Sequence, residues 1–134
     1  SRKFERAVEL FPKHVYALSN LGTCLRELGQ HDKAVLAHRR AVSIMPDRAR
    51  NHYNLAVSLQ TAGDPRGAIE SYRASLALDE QQPDAYFNLG VALQDLGEMQ
   101  NATAAYRRTL ELDPSNFGAA CNRWASSQGP VRNG

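Results

Sequence analysis

The stretch Pro83-Asp84-Ala85-Tyr86-Phe87-Asn88-Leu89-Gly90-Val91-Ala92-Leu93-Gln94-Asp95-Leu96-Gly97-Glu98 decides the fold. Tyr86, Leu89, Gly90 and Leu93 recur at three- and four-residue spacing, which places them on one stripe of a helix predicted from about Pro83 to Leu96. Gly97 ends that helix, because glycine readily takes the left-handed conformation that closes one. A second helix, predicted from about Gln100 to Leu112, turns Ala102, Tyr106, Thr109, Leu110 and Leu112 inward. Asp113-Pro114 stops it, since proline disfavours helical geometry in its predecessor and lacks an N–H to donate. The unit is a helical hairpin.

Shifting the sequence by 34 residues superposes Asn20-Leu21-Gly22, Asn54-Leu55-Ala56 and Asn88-Leu89-Gly90. The agreement continues through Leu25, Leu59 and Leu93; Gly29, Gly63 and Gly97; Ala34, Ala68 and Ala102; and His38, Tyr72 and Tyr106. In the second unit Gly63-Asp64-Pro65 combines a helix stop, an N-cap and a favoured first-turn proline. Gly22, Ala56 and Gly90 on the first helices, facing Ala34, Ala68 and Ala102 on the second, allow two backbones to approach closely. One such unit cannot bury enough apolar surface to offset its own ordering, so the units must stack. The expected fold is an all-α, right-handed solenoid of antiparallel hairpins. Residues 1–14 supply the second helix of a partial repeat, with Phe4, Ala7 and Pro12 in register; full repeats follow at 15–48, 49–82 and 83–116; 117–127 is a partial repeat or capping helix, and 128–134 an extended tail.

The balance of 43% hydrophobic and 22% charged residues is that of a globular domain, and its apolar runs are far shorter than the ~20 residues of a spanning helix. No direct membrane insertion is expected. Ser1-Arg2-Lys3-Phe4-Glu5-Arg6 lacks the apolar centre of a signal peptide, which leaves localisation unassigned. A first residue that is not Met, already inside a helical pattern, is expected of a fragment, a processed chain or the ordered part of a longer one. Net charge is +2, too little unbalanced charge for strong nonspecific phosphate binding, so nucleic acid is not the expected partner. Cys24 and Cys121 lie almost three repeats apart and are expected to be free thiols. There is no CxxC pair, HExxH, glycine-rich phosphate loop or GxSxG elbow, so no catalytic residue, metal ligand or cofactor is assigned.

These residues resemble the tetratricopeptide repeat family, whose pattern is an aromatic, Leu-Gly, a large residue, a later Ala, a second aromatic and a closing Pro. Repeat 83–116 follows it nearly throughout, with Tyr86, Leu89, Gly90, Leu93, Ala102, Tyr106 and Pro114. Repeat 15–48 has Leu18 and His38 at the aromatic places; repeat 49–82 has His52 at the first of them, Ala56 for Gly and Glu80 for Pro; after 117, Arg123-Trp124 replaces Leu-Gly. The resemblance implies a protein-binding scaffold and not an enzyme, presenting a concave groove lined by first helices to an extended peptide or to the subunits of a larger complex. Alternatives are the substrate-recognition region of a larger enzyme such as a glycosyltransferase and, more weakly, an RNA-binding helical repeat.

Asn20, Asn54, Asn88 and Asn122 occupy one register of the first helices, and an amide both donates and accepts. Such a row is similar to the asparagine ladder in the repeat region of O-linked N-acetylglucosamine transferases, which implies a grip on peptide backbone; the alternative is local hydrogen bonding between helices. Ser19, Thr23, Gln60 and Gln94 are expected on the same inner surface, with Arg50 and Asp84. Tyr53, Phe87, Val57 and Val91 form its apolar centre, either as an open patch or packed between first helices, and Arg123 with Trp124 forms a contact at the C-terminal cap. Relatives that hold the acidic C-terminus of heat-shock chaperones use Lys, Arg and Asn where this chain has Ser19, Thr23, Asn54, Asp84 and Asn88. One of the five matches, and Asp84 opposes a carboxylate, so a chaperone carboxylate clamp is not expected.

Ala68→Leu should overpack the hairpin and lower the melting temperature of the whole array by several degrees, measured by circular dichroism; an unchanged transition would contradict the register.

Overall fold

The computed structural model describes residues 13–128, and the partial repeat expected at 1–14 and the tail at 128–134 fall almost wholly outside them. Seven α-helices and no strands occur among the described residues: α1 (Lys13–Glu27), α2 (His31–Ile44), α3 (Ala49–Thr61), α4 (Pro65–Leu78), α5 (Pro83–Asp95), α6 (Met99–Leu112) and α7 (Phe117–Gln128).

Within each hairpin the turn follows from one glycine. Gly29, Gly63 and Gly97 have φ of 83°, 91° and 79°. The following residue then returns its N–H to the helix, Gln30 to the Leu25 carbonyl at 2.8 Å, Asp64 to Leu59 at 2.8 Å and Glu98 to Leu93 at 2.9 Å. This paired closure satisfies carbonyls that a helix end leaves free. At Asp64 the carboxylate also accepts the Gly67 N–H at 3.0 Å and Pro65 opens the next helix.

Turns between repeats are each built differently. Asp113 Oδ1 accepts the Ser115 hydroxyl at 2.8 Å, and Asn116 Oδ1 accepts the Ala119 N–H at 2.8 Å to start α7. Repeat 49–82 has Glu80 in place of proline, and there the Gln82 amide donates to the carbonyls of Asp79 at 2.7 Å and Ser75 at 3.1 Å. A side chain thus holds a turn that proline would otherwise set.

Buried residues from both helices of the second and third hairpins make one continuous core, with Leu55, Ala56 and Leu59 of α3, Ala68, Ile69 and Tyr72 of α4, Leu89 and Leu93 of α5, and Ala102 and Tyr106 of α6, while Val15 and Leu18 of α1 and Ala41 of α2 form a smaller cluster in the first. Of the inward-facing residues expected on α6, Ala102, Tyr106 and Thr109 are buried, whereas Leu110 and Leu112 are half-buried. Leu21 is 51% exposed although Leu55 and Leu89, at its register, are buried. Those two belong to first helices that pack on a preceding second helix, and the counterpart for Leu21 falls outside the described residues.

The packing also fixes the direction of curvature. First helices touch one another across repeats, α1 with α3 and α3 with α5, while α2, α4 and α6 meet each other marginally at most. The array therefore closes toward its first helices, whose free sides form the concave surface.

A Cβ on Gly22 would lie 2.5 Å from His38 Nε2, and one on Gly90 2.5 Å from the Tyr106 ring, so these glycines permit the close packing of each pair. His38 is fully buried, and neither ring nitrogen has a hydrogen-bond partner among the described residues. Burial, then the Arg26 charge, pulls its pKa from 6.5 to about 4. Unfolded histidine binds a proton below about 6.5 while the folded one resists until about 4, so stability falls as pH drops through that window, by on the order of 3 kcal/mol. Urea titrations at pH 7 and pH 4.5 should show a smaller loss in His38→Phe than in the wild type.

Candidate functional site

The concave surface is built from the free sides of α1, α3, α5 and α7. Arg50 and Tyr53 near the start of α3, Asp84 near the start of α5, and Asp79 and Gln82 of the turn before it line a cleft of about 230 Å3. The Arg50 guanidinium lies over the Tyr53 ring, 4.7 Å from its centroid. Burial raises the Tyr53 pKa, as does the Asp84 charge, while Arg50 and Arg26 oppose the shift. Two cations and one carboxylate thus act on a single phenol, which stays protonated at neutral pH.

Tyr53 and Phe87 do not form an open patch. Both are half-buried, Tyr53 edge-on to Tyr72 at 5.9 Å and Phe87 tilted against Tyr106 at 5.8 Å. Val57 and Val91 are half-buried against the same core. Small residues at the hairpin centre draw the second-helix rings inward, and the first-helix rings follow them. The part of Tyr53 that lines the cleft does so together with Arg50 and Asp84.

The asparagine row is not a uniform rank of free amides. Asn88 Nδ2 donates to the Tyr53 hydroxyl at 3.1 Å, across two first helices, and the Gln60 side-chain amide donates to the Asn88 backbone carbonyl at 3.5 Å. Asn122 is hydrogen-bonded with Tyr106, whose pKa is raised to about 12, chiefly by burial. Asn54 is half-buried and Asn20 exposed. Local hydrogen bonding, the alternative weighed for this row, therefore holds at Asn88, whose side-chain oxygen keeps its acceptor capacity.

Ser19, expected on the groove, is buried instead. Its hydroxyl faces Asn51 Oδ1 at 3.4 Å, and the Asn51 amide reaches the Met45 carbonyl at 3.2 Å. Asn51 stands at the register of Ala85 and Ala119, both buried, and its extra polarity recruits Ser19 as a partner. Arg123 and Trp124 are exposed on α7, Trp124 at 65%, away from the cleft at Tyr53. Cys24 and Cys121 are free and exposed. No group of three His, Cys, Asp or Glu residues poised for a metal occurs among the described residues, and no described helix is long and apolar enough to cross a membrane.

One element was missed at the sequence level. The Tyr72 hydroxyl donates to Gln60 Oε1 at 2.7 Å, and Tyr106 makes the same bond to Gln94. Each glutamine precedes its tyrosine by 12 residues in two successive repeats, a spacing the 34-residue register already contained.

A right-stacked series of hairpins with one groove-lining helix per unit defines a helical-repeat binding protein. Family models of the tetratricopeptide repeat match residues 3–35 and 53–117, and the chain belongs to that family. No curated protein matches it by sequence. Among solved structures it is similar to the first tetratricopeptide domain of Spaghetti (RPAP3), bound to the HSP90 peptide SRMEEVD, at 24% identity over 85% of this chain and 90% of that one, with a TM-score of 0.82. MamA is 23% identical over 95% of this chain and 74% of its own, with a TM-score of 0.83. The second such domain of human RPAP3, in complex with the HSP70 peptide SGPTIEEVD, is 18% identical over 84% and 94%, with a TM-score of 0.80. These likenesses establish the fold.

Tyr72→Phe strands the Gln60 carbonyl and should cost about 1 kcal/mol in chemical denaturation; combining it with Gln60→Leu should recover part of that loss, the sign of a coupled pair.

Proposed function

We propose that the chain is a protein-interaction scaffold whose concave groove receives an extended segment of another protein. The observation that carries this reading is the cleft lined by Arg50, Tyr53 and Asp84, whose tyrosine hydroxyl is joined to the asparagine row by the Asn88 amide. An extended segment presents alternating N–H and C=O groups, and an amide row at repeat spacing meets them irrespective of side chain. This keeps the likeness to the asparagine ladder in the form the geometry allows: Asn54 offers a whole amide, Asn88 a part of one. The same surface would serve a subunit docking within a larger complex.

Charge gives the groove a direction. Arg26 and Arg50 lie on its α1–α3 side and Asp84 on α5, so an acidic group in the segment fits toward α1–α3 and a basic one toward α5. RPAP3 domains of this fold hold acidic chaperone peptides, which supports peptide capture as a use of the architecture. We infer that capture here does not use the chaperone carboxylate clamp, and three features support this. Ser19 is buried, Asn88 is engaged with Tyr53, and Asp84 faces the cleft with the wrong sign for a carboxylate.

The test is selection of random peptides on the folded chain, followed by titration of the winners against variants. Selected peptides should bind Arg50→Glu at least tenfold more weakly and Asn54→Ala with Asn88→Ala several-fold more weakly, the loss expected for backbone bonds of ~1 kcal/mol each. Winners indifferent to all of these substitutions would overturn the groove as the binding site.

A further inference from the structure

Arg39, Arg73 and Arg107 stand 34 residues apart, one each on α2, α4 and α6, and all three are exposed. Equal register on second helices puts them on the outer side of the array, opposite the concave groove. None of the three enters a hydrogen bond or ion pair among the described residues. They are not held by the fold.

Around the middle arginine the surface has a definite form. Arg73 and Arg108 stand on either side of a cleft of about 200 Å3, and Leu89 and Leu93 of α5 contribute to its floor. The Arg108 guanidinium lies 5.3 Å from the centroid of Tyr86, which also lines the cleft, and pairs with Glu111 at 3.3 Å. Arg107 lines a second recess beside α7. On α2, Leu36 is 66% exposed one turn before Arg39. Cations thus alternate with apolar contact along the outer face.

That alternation selects among anions. A phosphate chain carries charge at every step and would have to pass Glu70, exposed one turn before Arg73, and Glu111 beside Arg108. A peptide can set carboxylates at the arginines and apolar side chains at the leucine floor between them. Arginine favours this pairing, since its planar fork meets a carboxylate with two hydrogen bonds.

We propose that the outer face is a second docking surface, for an acidic protein segment whose carboxylates pair with Arg39, Arg73 and Arg107 and whose apolar side chains enter the cleft over Leu89 and Leu93. It is separate from the concave groove, so both surfaces can be occupied at once.

Fluorescence anisotropy with a labelled peptide of five Glu-Glu-Leu units tests it. The triple variant R39Q/R73Q/R107Q, its fold checked by thermal melting, should bind at least tenfold more weakly than wild type, and R73Q alone about threefold. In an N54A/N88A background, which removes the groove amides, the triple substitution should cause the same fold-loss. Absent binding by the wild type at low salt, or equal binding by the triple variant, would each overturn the assignment. So would tighter binding of an oligouridylate of the same net charge, which would make the face a polyanion surface and not a peptide one.

Discussion

In each hairpin an aromatic ring on the second helix lies against a residue on the first that has almost no side chain. Gly22 receives His38, Gly90 receives Tyr106, and Ala56 and Tyr72 hold the same two registers, both fully buried. Much else depends on that closeness. It brings the backbones near enough for three-residue glycine turns to join them, and it withdraws the largest side chains of the second helices from the surface. Leucines of the first helix are then left to face the preceding repeat, as Leu55 and Leu89 do, so packing within a unit prepares the surface by which units stack. Because first helices then touch across repeats and second helices meet marginally at most, the array acquires an inner and an outer side.

The buried rings bring hydroxyl groups with them, and these must find partners where water does not reach. Gln60 and Gln94 answer Tyr72 and Tyr106, and Asn88 answers Tyr53. The polar lining of the groove is therefore partly a consequence of core packing. Side chains fixed in this way lose little further freedom when a ligand arrives, which favours a groove that is formed before binding. His38 is the exception. It fills the ring position without offering a hydroxyl, and at the glutamine register the first repeat carries Arg26. Repeat 15–48 thus has the shape of its neighbours with a different polarity.

The fold was legible because a period is a redundant signal: each of Gly29, Gly63 and Gly97 marks a turn, and the three agree. Helix limits followed to within a residue or two, as Met99 for Gln100 shows. The groove was legible only in part. Register places Asn88 and Tyr53 on first helices, but it does not say that they bond to each other, since that contact joins residues 35 apart in different repeats. Ser19 was misplaced for a related reason. Its environment depends on Asn51, a substitution within the next repeat, and a pattern shared by all repeats carries no information about one that departs from it.

Departures from the pattern accordingly mark where the units cease to be equivalent. Asn51 at an alanine register ties α3 to the end of α2 and to Ser19 of α1, a set of polar bonds absent between α5 and its predecessor. Trp124 stands at the register of Gly22 and Gly90, on the side where a second helix would lay its ring. An indole stands there where the other first helices carry glycine or alanine, and it is 65% exposed. Arg123, at the register of Leu55 and Leu89, adds charge where those leucines are buried. The repeats are thus equivalent in period and unequal in surface, and a partner that meets Arg123 and Trp124 meets side chains that no other repeat offers at those registers.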